Sequence, residues 1–122
     1  MTTQEIANQL VELCRQGKDD QAVDQLYHEN VKSVEIQGWP KEVVNGIDNI
    51  RKKHKEFQSS VEEFHKNEVS DPLVAGNHFC CIMKLDATFK KMGRIQMEEL
   101  CLYEVKDGKI VKEQFFYPPV PK

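Results

Sequence analysis

Up to about residue 60 the apolar residues of this chain recur mostly at helical spacing, and beyond it they follow the alternation of strands. Thr2 followed by Glu5 fits a capping box, Ile6, Leu10 and Leu13 form one stripe, and Gly17 supplies a stop, so the spacing predicts a first helix. Asp19 or Asp20 caps a second helix with Ala22, Val23, Leu26 and Tyr27 on its apolar side, ending near Asn30. A strand follows at 31–36, then a loop through Gly38, Trp39 and Pro40. A third helix begins at Asn45 or Gly46 and runs to about Ser59, with Ile47, Ile50, His54 and Phe57 along one side. Arg51, Lys52, Lys53 and Lys55 fall mostly off that side and are expected in solvent.

The second half reads as strands. "VEEFHKNEV" from residue 61 ends at the turn signal Ser70-Asp71-Pro72, and "NHFCCIMKLDATF" is a long strand after Gly76. The chain turns near Met92-Gly93. Asp107-Gly108 fits a two-residue turn with positive φ, so 94–106 and 109–117 pair as a hairpin. Pro118, Pro119 and Pro121 end the sheet, because proline has no N–H for a ladder. Two helices, a strand, a helix and four strands (ααβαββββ) predict an α+β fold with helices gathered on one side of a largely antiparallel sheet.

At 122 residues the chain is expected to be one domain, since that length matches the commonest domain size, about 100–150 residues. Hydrophobic residues make up 39% and charged residues 30%, spread along the whole length, which describes a folded rather than a disordered chain. A net charge of −3 argues against nucleic acid as a partner. No apolar run approaches the ~20 residues of a membrane span, and the N-terminus lacks a signal-peptide pattern, so a cytoplasmic location is expected. Cys14, Cys80, Cys81 and Cys101 form no C-x-x-C pair and the histidines lack zinc-finger spacing; buried thiols, no metal and no tightly bound cofactor are expected. P-loop, G-x-G-x-x-G, G-x-S-x-G and H-E-x-x-H motifs are missing as well.

The acidic residue in "VKSVEIQGWP" poses the sharpest question. Glu35 lies between Val34 and Ile36 and points away from both. On alternation alone, a strand that buries Val34 and Ile36 leaves Ser33 and Glu35 in water.

A resemblance alters that reading. The element order, with "LYHENV" at 26–31, "VNGIDNIRKKH" at 44–54, "LYEVKDGKI" at 102–110 and "EQFFY" at 113–117, is similar to the nuclear transport factor 2-like superfamily, which includes ketosteroid isomerases and SnoaL-type polyketide cyclases. The resemblance implies a curved sheet wrapped over three helices as a cone-shaped α+β barrel with a pocket at its open end. It also implies a homodimer through the outer face of the sheet. Laid against a ketosteroid isomerase, Glu35 falls at the proton-shuttling aspartate in the pocket mouth. Leu10 and Cys101 stand where that enzyme has its two oxyanion donors, so ketosteroid isomerase activity itself is not expected.

By the same resemblance Cys101 faces inward, which sets Met97 and Glu99 inward and Glu98, Leu100 and Leu102 outward. Glu113, Phe115 and Tyr117 turn inward on the last strand, and Phe79, Cys81, Met83 and Leu85 are assigned inward on the long one. Candidate walls of an apolar ligand pocket are then Tyr27, Trp39, Phe57, Phe79, Met83, Met97, Cys101, Phe115 and Tyr117. The candidate catalytic groups are Glu35 as general base, Glu99 or Glu113 as proton donor or orienting acid, and Tyr27 or His54 as a hydrogen-bond donor. Two carboxylates a few ångströms apart cannot both ionise cheaply, so one pKa is expected to rise. The alternative is that Glu99 or Glu113 sits at the rim or pairs with a lysine. Two functions stay open: cofactor-free isomerase or cyclase chemistry on an apolar carbonyl compound, and a non-catalytic binding or dimerisation module.

Overall fold

The computed structural model describes residues 1–36 and 42–118. Helix α1 (Thr3–Arg15) starts on a complete capping box: the Thr2 hydroxyl accepts from the Glu5 N–H at 3.1 Å, and the Glu5 carboxylate accepts from the Thr2 N–H at 2.9 Å. Gly17, at φ 73°, ends it. Helix α2 (Asp19–Leu26) stops before Asn30, because Tyr27 is already extended and opens strand β1 (Tyr27–Val34). Its cap position is Lys18, which makes no side-chain cap bond, so Asp19 and Asp20 lie in the first turn instead. Gly46 caps helix α3 (Ile47–Ser60) at φ 89°, a conformation that suits glycine.

Two three-residue strands, β2 (Val43–Asn45) and β4 (Leu73–Ala75), join the expected ones, β3 (Val61–Val69), β5 (His78–Phe89), β6 (Gly93–Lys106) and β7 (Lys109–Phe116). Both are too short for alternation to reveal. The sheet runs β2-β1-β7-β6-β5-β3, with β4 on β5. Every pairing is antiparallel except β1 with β7. This is a curved, open sheet, mostly antiparallel, packed on three helices. The hairpin turn has Asp107 at φ 52° and Gly108 at φ 75°, both left-handed as the Asp-Gly pair requires. Trp39 lies outside the described residues.

The core sits between the concave face of the sheet and the helices. From α1 come Ile6, Ala7, Leu10, Val11 and Cys14; from α2, Ala22, Val23 and Leu26; from α3 only Ile50. Strands β5 and β6 oppose them with Phe79, Cys81, Cys101, Tyr103 and Val105, Phe79 stacking on Tyr103 with ring centroids 4.7 Å apart. Cys80 turns to the other face and is only half-buried, unlike the other three thiols.

Strand β1 reverses the simple alternation reading. Val31 and Ser33 are buried while Val34 is only partly so; the inner face therefore carries Val31, Ser33 and then Glu35. Its phase is held by β2, since Val34 pairs with Val43 and the Glu35 N–H donates to the Glu42 carbonyl at 2.7 Å.

The core positions set a clear stability contrast. Leu26 is fully buried and Leu73 is 75% exposed. Leu26→Ala is expected to cost about 2–5 kcal/mol in urea unfolding, and Leu73→Ala less than about 0.5 kcal/mol.

Candidate functional site

Strands β1 and β7 run parallel with Ser33 opposite Glu113, and this register builds the site. Glu113 is 1% exposed, so its carboxylate must find its partners within the protein. It does: the Tyr27 hydroxyl donates to Oε1, and the Ser33 hydroxyl donates to Oε2 at 2.7 Å. Ser33 has spent its one hydrogen, so its oxygen can only accept from its next neighbour. That neighbour is Lys53, whose ammonium donates at 3.1 Å.

Lys53 also meets Glu35. Its Nζ lies 2.5 Å from Glu35 Oε1 and 5.1 Å from the centroid of the Phe115 ring, a cation–π arrangement. The Tyr117 hydroxyl donates to Glu35 Oε2 at 2.7 Å. A hydrogen-bonded chain thus runs Tyr27, Glu113, Ser33, Lys53, Glu35, Tyr117, from the sealed core to the last strand. The Lys53 side chain is 20% exposed and that of Glu35 9%, a partly desolvated pair rather than a surface bridge.

Glu99 completes the cluster from β6. Burial first, and the charge of Glu35 second, push its pKa up to about 7, against the opposing pull of Cys101 and Lys53. The Cys101 thiol donates to Glu99 Oε1 at 3.6 Å and is itself held protonated, by its contact with Cys81 first and by burial second. Cys81 and Cys101 are direct cross-strand partners. Burial first, then Glu35, raise the Tyr117 phenol as well, and burial and Glu113 raise Tyr27. Both phenols therefore act as donors at neutral pH.

Along the inner face of β5 and β6 the core cluster lies at one end and buried Phe89, which meets Phe57 edge-on at 5.8 Å, at the other. Between these ends Met83, Leu85, Met97 and Glu99 face inward yet stay partly exposed. Two surface concavities, of about 520 Å³ around Arg15, Asn67 and Lys84 and of about 350 Å³ around His28, Asn30 and Lys106, lie away from the glutamates. At the glutamates, Lys53 and Tyr117 close over Glu35.

Comparisons with known proteins decide the descent of this arrangement. The model of the SnoaL-like domain matches residues 1–117. The chain belongs to the SnoaL-like domain family. A protein of Mesorhizobium loti, named for its likeness to SnoaL polyketide cyclases, shares 36% identity over 96% of this chain and all of its own, with a TM-score of 0.91. A nuclear transport factor 2-like protein of Burkholderia pseudomallei (10% identity, 97% and 92% coverage, TM-score 0.79) shares the fold. So does a Catenulispora acidiphila protein with a ketosteroid isomerase-like fold, crystallised with trimethylamine (17%, 95% and 87%, 0.73). No curated protein matches the sequence.

In this SnoaL-like domain the structure gathers Glu35, Glu99, Glu113, Tyr27, Cys101, Phe115 and Tyr117 in one cluster. Met83 pairs with Glu99 across the strands and Met97 lies two residues from it on the same face. Phe79 is sealed in the core, and Phe57 is 40% exposed on the flank. His54 is not brought to the glutamates: its Nδ1 lies 3.9 Å from Asp20, over α2. Among the described residues no group of three or more His, Cys, Asp or Glu side chains is arranged to hold a metal ion.

Ser33 and Lys53 are the members that sequence reasoning misses. Ser33 is discoverable as the i−2 neighbour of Glu35 on the same strand face. Lys53, expected in solvent, stands three residues after buried Ile50 and four before Phe57, which places it beside the apolar stripe.

The raised Glu99 pKa has a consequence for stability. The folded chain holds this proton more tightly than the unfolded chain, whose ordinary value is 4.5. Stability from this group is full below the unfolded value and is lost as pH rises towards about 7. Urea unfolding should therefore show wild type losing on the order of 2 kcal/mol more than Glu99→Gln between about pH 5 and about pH 8.

Proposed function

We propose that the partly uncovered stretch of the inner face beside Glu35 and Glu99 receives a small apolar molecule bearing a carbonyl group, and that the chain performs cofactor-free acid/base chemistry on it. The observation that carries this reading is the pairing of unlike carboxyls. Glu35 is held as the charged partner of Lys53, and its charge helps to keep Glu99 protonated to about pH 7. One residue type thus supplies a base and an acid at one place. Glu35 takes a proton from carbon next to the carbonyl, and Glu99 returns one at another atom to isomerise the molecule. In a ring closure the enolate carbon attacks a second carbonyl of the same molecule, that carbonyl's π pair moves onto its oxygen, and Glu99 protonates the oxygen. Glu113, sealed from any ligand, orients the others through Ser33. The likeness of the Mesorhizobium loti protein to polyketide cyclases supports a carbonyl-rich substrate.

The test is deuterium exchange at the α-carbon of a panel of cyclic ketones and β-diketones in heavy water, followed by NMR. Wild type should exchange at least one of them, Glu35→Gln should slow that exchange by about 100-fold or more, and the rate should fall above about pH 7 as Glu99 ionises. Absence of exchange across the panel would falsify this reading.

A second reading, a non-catalytic ligand-binding or dimerisation module, is favoured by one observation. On the outer face Ile82, Leu100 and Phe116 stand side by side across β5, β6 and β7, each more than two-fifths exposed. An apolar row of this kind suits the outer face of a second copy. Sedimentation should then give a homodimer that Leu100→Glu converts to monomer while leaving the helical signal in circular dichroism unchanged.

A further inference from the structure

Lys53 has three N–H bonds. One points to Ser33 Oγ and one to Glu35 Oε1; among the described residues no acceptor takes the third. The ammonium also lies over the Phe115 ring, at the partly exposed side of the cluster. It is therefore a fixed, directed cation with an unused donor beside the group that takes the proton. We propose that Lys53 binds the ligand's carbonyl oxygen and is the catalytic cation of this site, and that the ligand arrives neutral and becomes an enolate only when Glu35 takes its proton. This rests on the reading of Glu35 as the base.

The charge count selects the ligand. Among the described residues three glutamates, Glu35, Glu99 and Glu113, share one lysine, Lys53, and Glu99 already resists ionisation there. A carboxylate or phosphate would bring a further negative charge to a cluster that, among the described residues, has no second cation to meet it. A ketone brings none. When the α C–H bond breaks, the proton goes to Glu35, the C–H electron pair becomes part of the C=C bond, and the carbonyl π pair moves onto oxygen. Negative charge thus passes from Glu35 to the ligand oxygen without changing the total. Lys53 lies between the two positions and has a partner both before and after the transfer, so the step requires little reorganisation.

Two further features fit. Ser33, committed to Glu113, accepts from Lys53 and holds the ammonium in place throughout. Leu10 is an apolar core residue and the Cys101 thiol is engaged with Glu99, so neither offers an oxyanion donor; the cation on α3 takes over that task from another element.

The experiment uses 4-nitrophenol, a neutral acid whose anion is coloured, at a pH below its own pKa. Wild type should bind it and show the phenolate band, as its proton moves to Glu35 and its oxygen pairs with Lys53. Lys53→Met should reduce the phenolate fraction of bound probe by about tenfold or more, and Lys53→Arg should restore most of it. Thermal unfolding of each variant verifies that it is folded. The proposal is overturned if wild type binds no 4-nitrophenol, if Lys53→Met yields as much phenolate as wild type, or if 4-nitrobenzoate binds as tightly as the phenol. Ketone exchange separates this proposal from the function on which it rests. Exchange lost in Glu35→Gln but kept in Lys53→Met sinks the role of Lys53 and leaves the base in place. No exchange by wild type, together with Lys53-dependent ionisation of the phenol, sinks the catalytic reading and leaves the cation site standing.

Discussion

Burying the carboxylate of Glu113 is the constraint from which the arrangement of this domain follows. A carboxylate taken from water costs several kcal/mol unless its oxygens are satisfied inside. Three separate groups meet that demand: Tyr27 at the start of β1, Ser33 six residues further on, and Lys53 on α3 through the Ser33 oxygen. The parallel pairing of β1 with β7 puts Ser33 directly opposite Glu113, and a slip of one residue would turn Val34 towards the acid instead. The same bonds orient Lys53, and Lys53 orients Glu35. A buried carboxyl group in the core thereby specifies the geometry of the partly exposed cluster above it.

The cluster differs from a plain structural ion-pair network in one respect. Among the described residues its carboxyl groups have unequal partners: Glu35 has a cation and a phenol, Glu113 two hydroxyls, and Glu99 a thiol and the electrostatic influence of Lys53. The poorest set of partners goes with the raised pKa, as desolvation and like charge require. Lys53 and Tyr117 bond the two oxygens of Glu35, one from a helix and the other from just beyond the last strand.

Part of this architecture is legible in the chain itself. The capping box at Thr2 and Glu5, the left-handed Asp107-Gly108 turn and the long alternating strands are local patterns whose physics acts within a few residues, and each appears in the fold as expected. The alternation that sets Glu99 with Cys101, and Glu113 with Phe115, is equally local. Other features are not readable in this way. Strands β2 and β4 are three residues each, below the length at which alternation carries a signal. Helix α2 ends at Leu26 because Tyr27 is needed in the sheet, a long-range demand. His54 belongs to the apolar stripe by spacing but lies over Asp20, since α3 packs against α2 at that point.

Glu35 divides the two kinds of information. The sequence by itself determined that Glu35 and Ser33 share one face of a strand and Val34 the other, because successive strand side chains point to opposite sides. Alternation and polarity could not determine which face is the inner one, since polarity assigned Val34 to the core and only the family resemblance turned Glu35 inward. Only the tertiary structure decided that, because the demand of a buried carboxylate 80 residues away outweighed the burial of one valine. Lys53 follows the same rule: its flexible stem permitted either solvent or interior, and the acids waiting on β1 and β7 settled its direction.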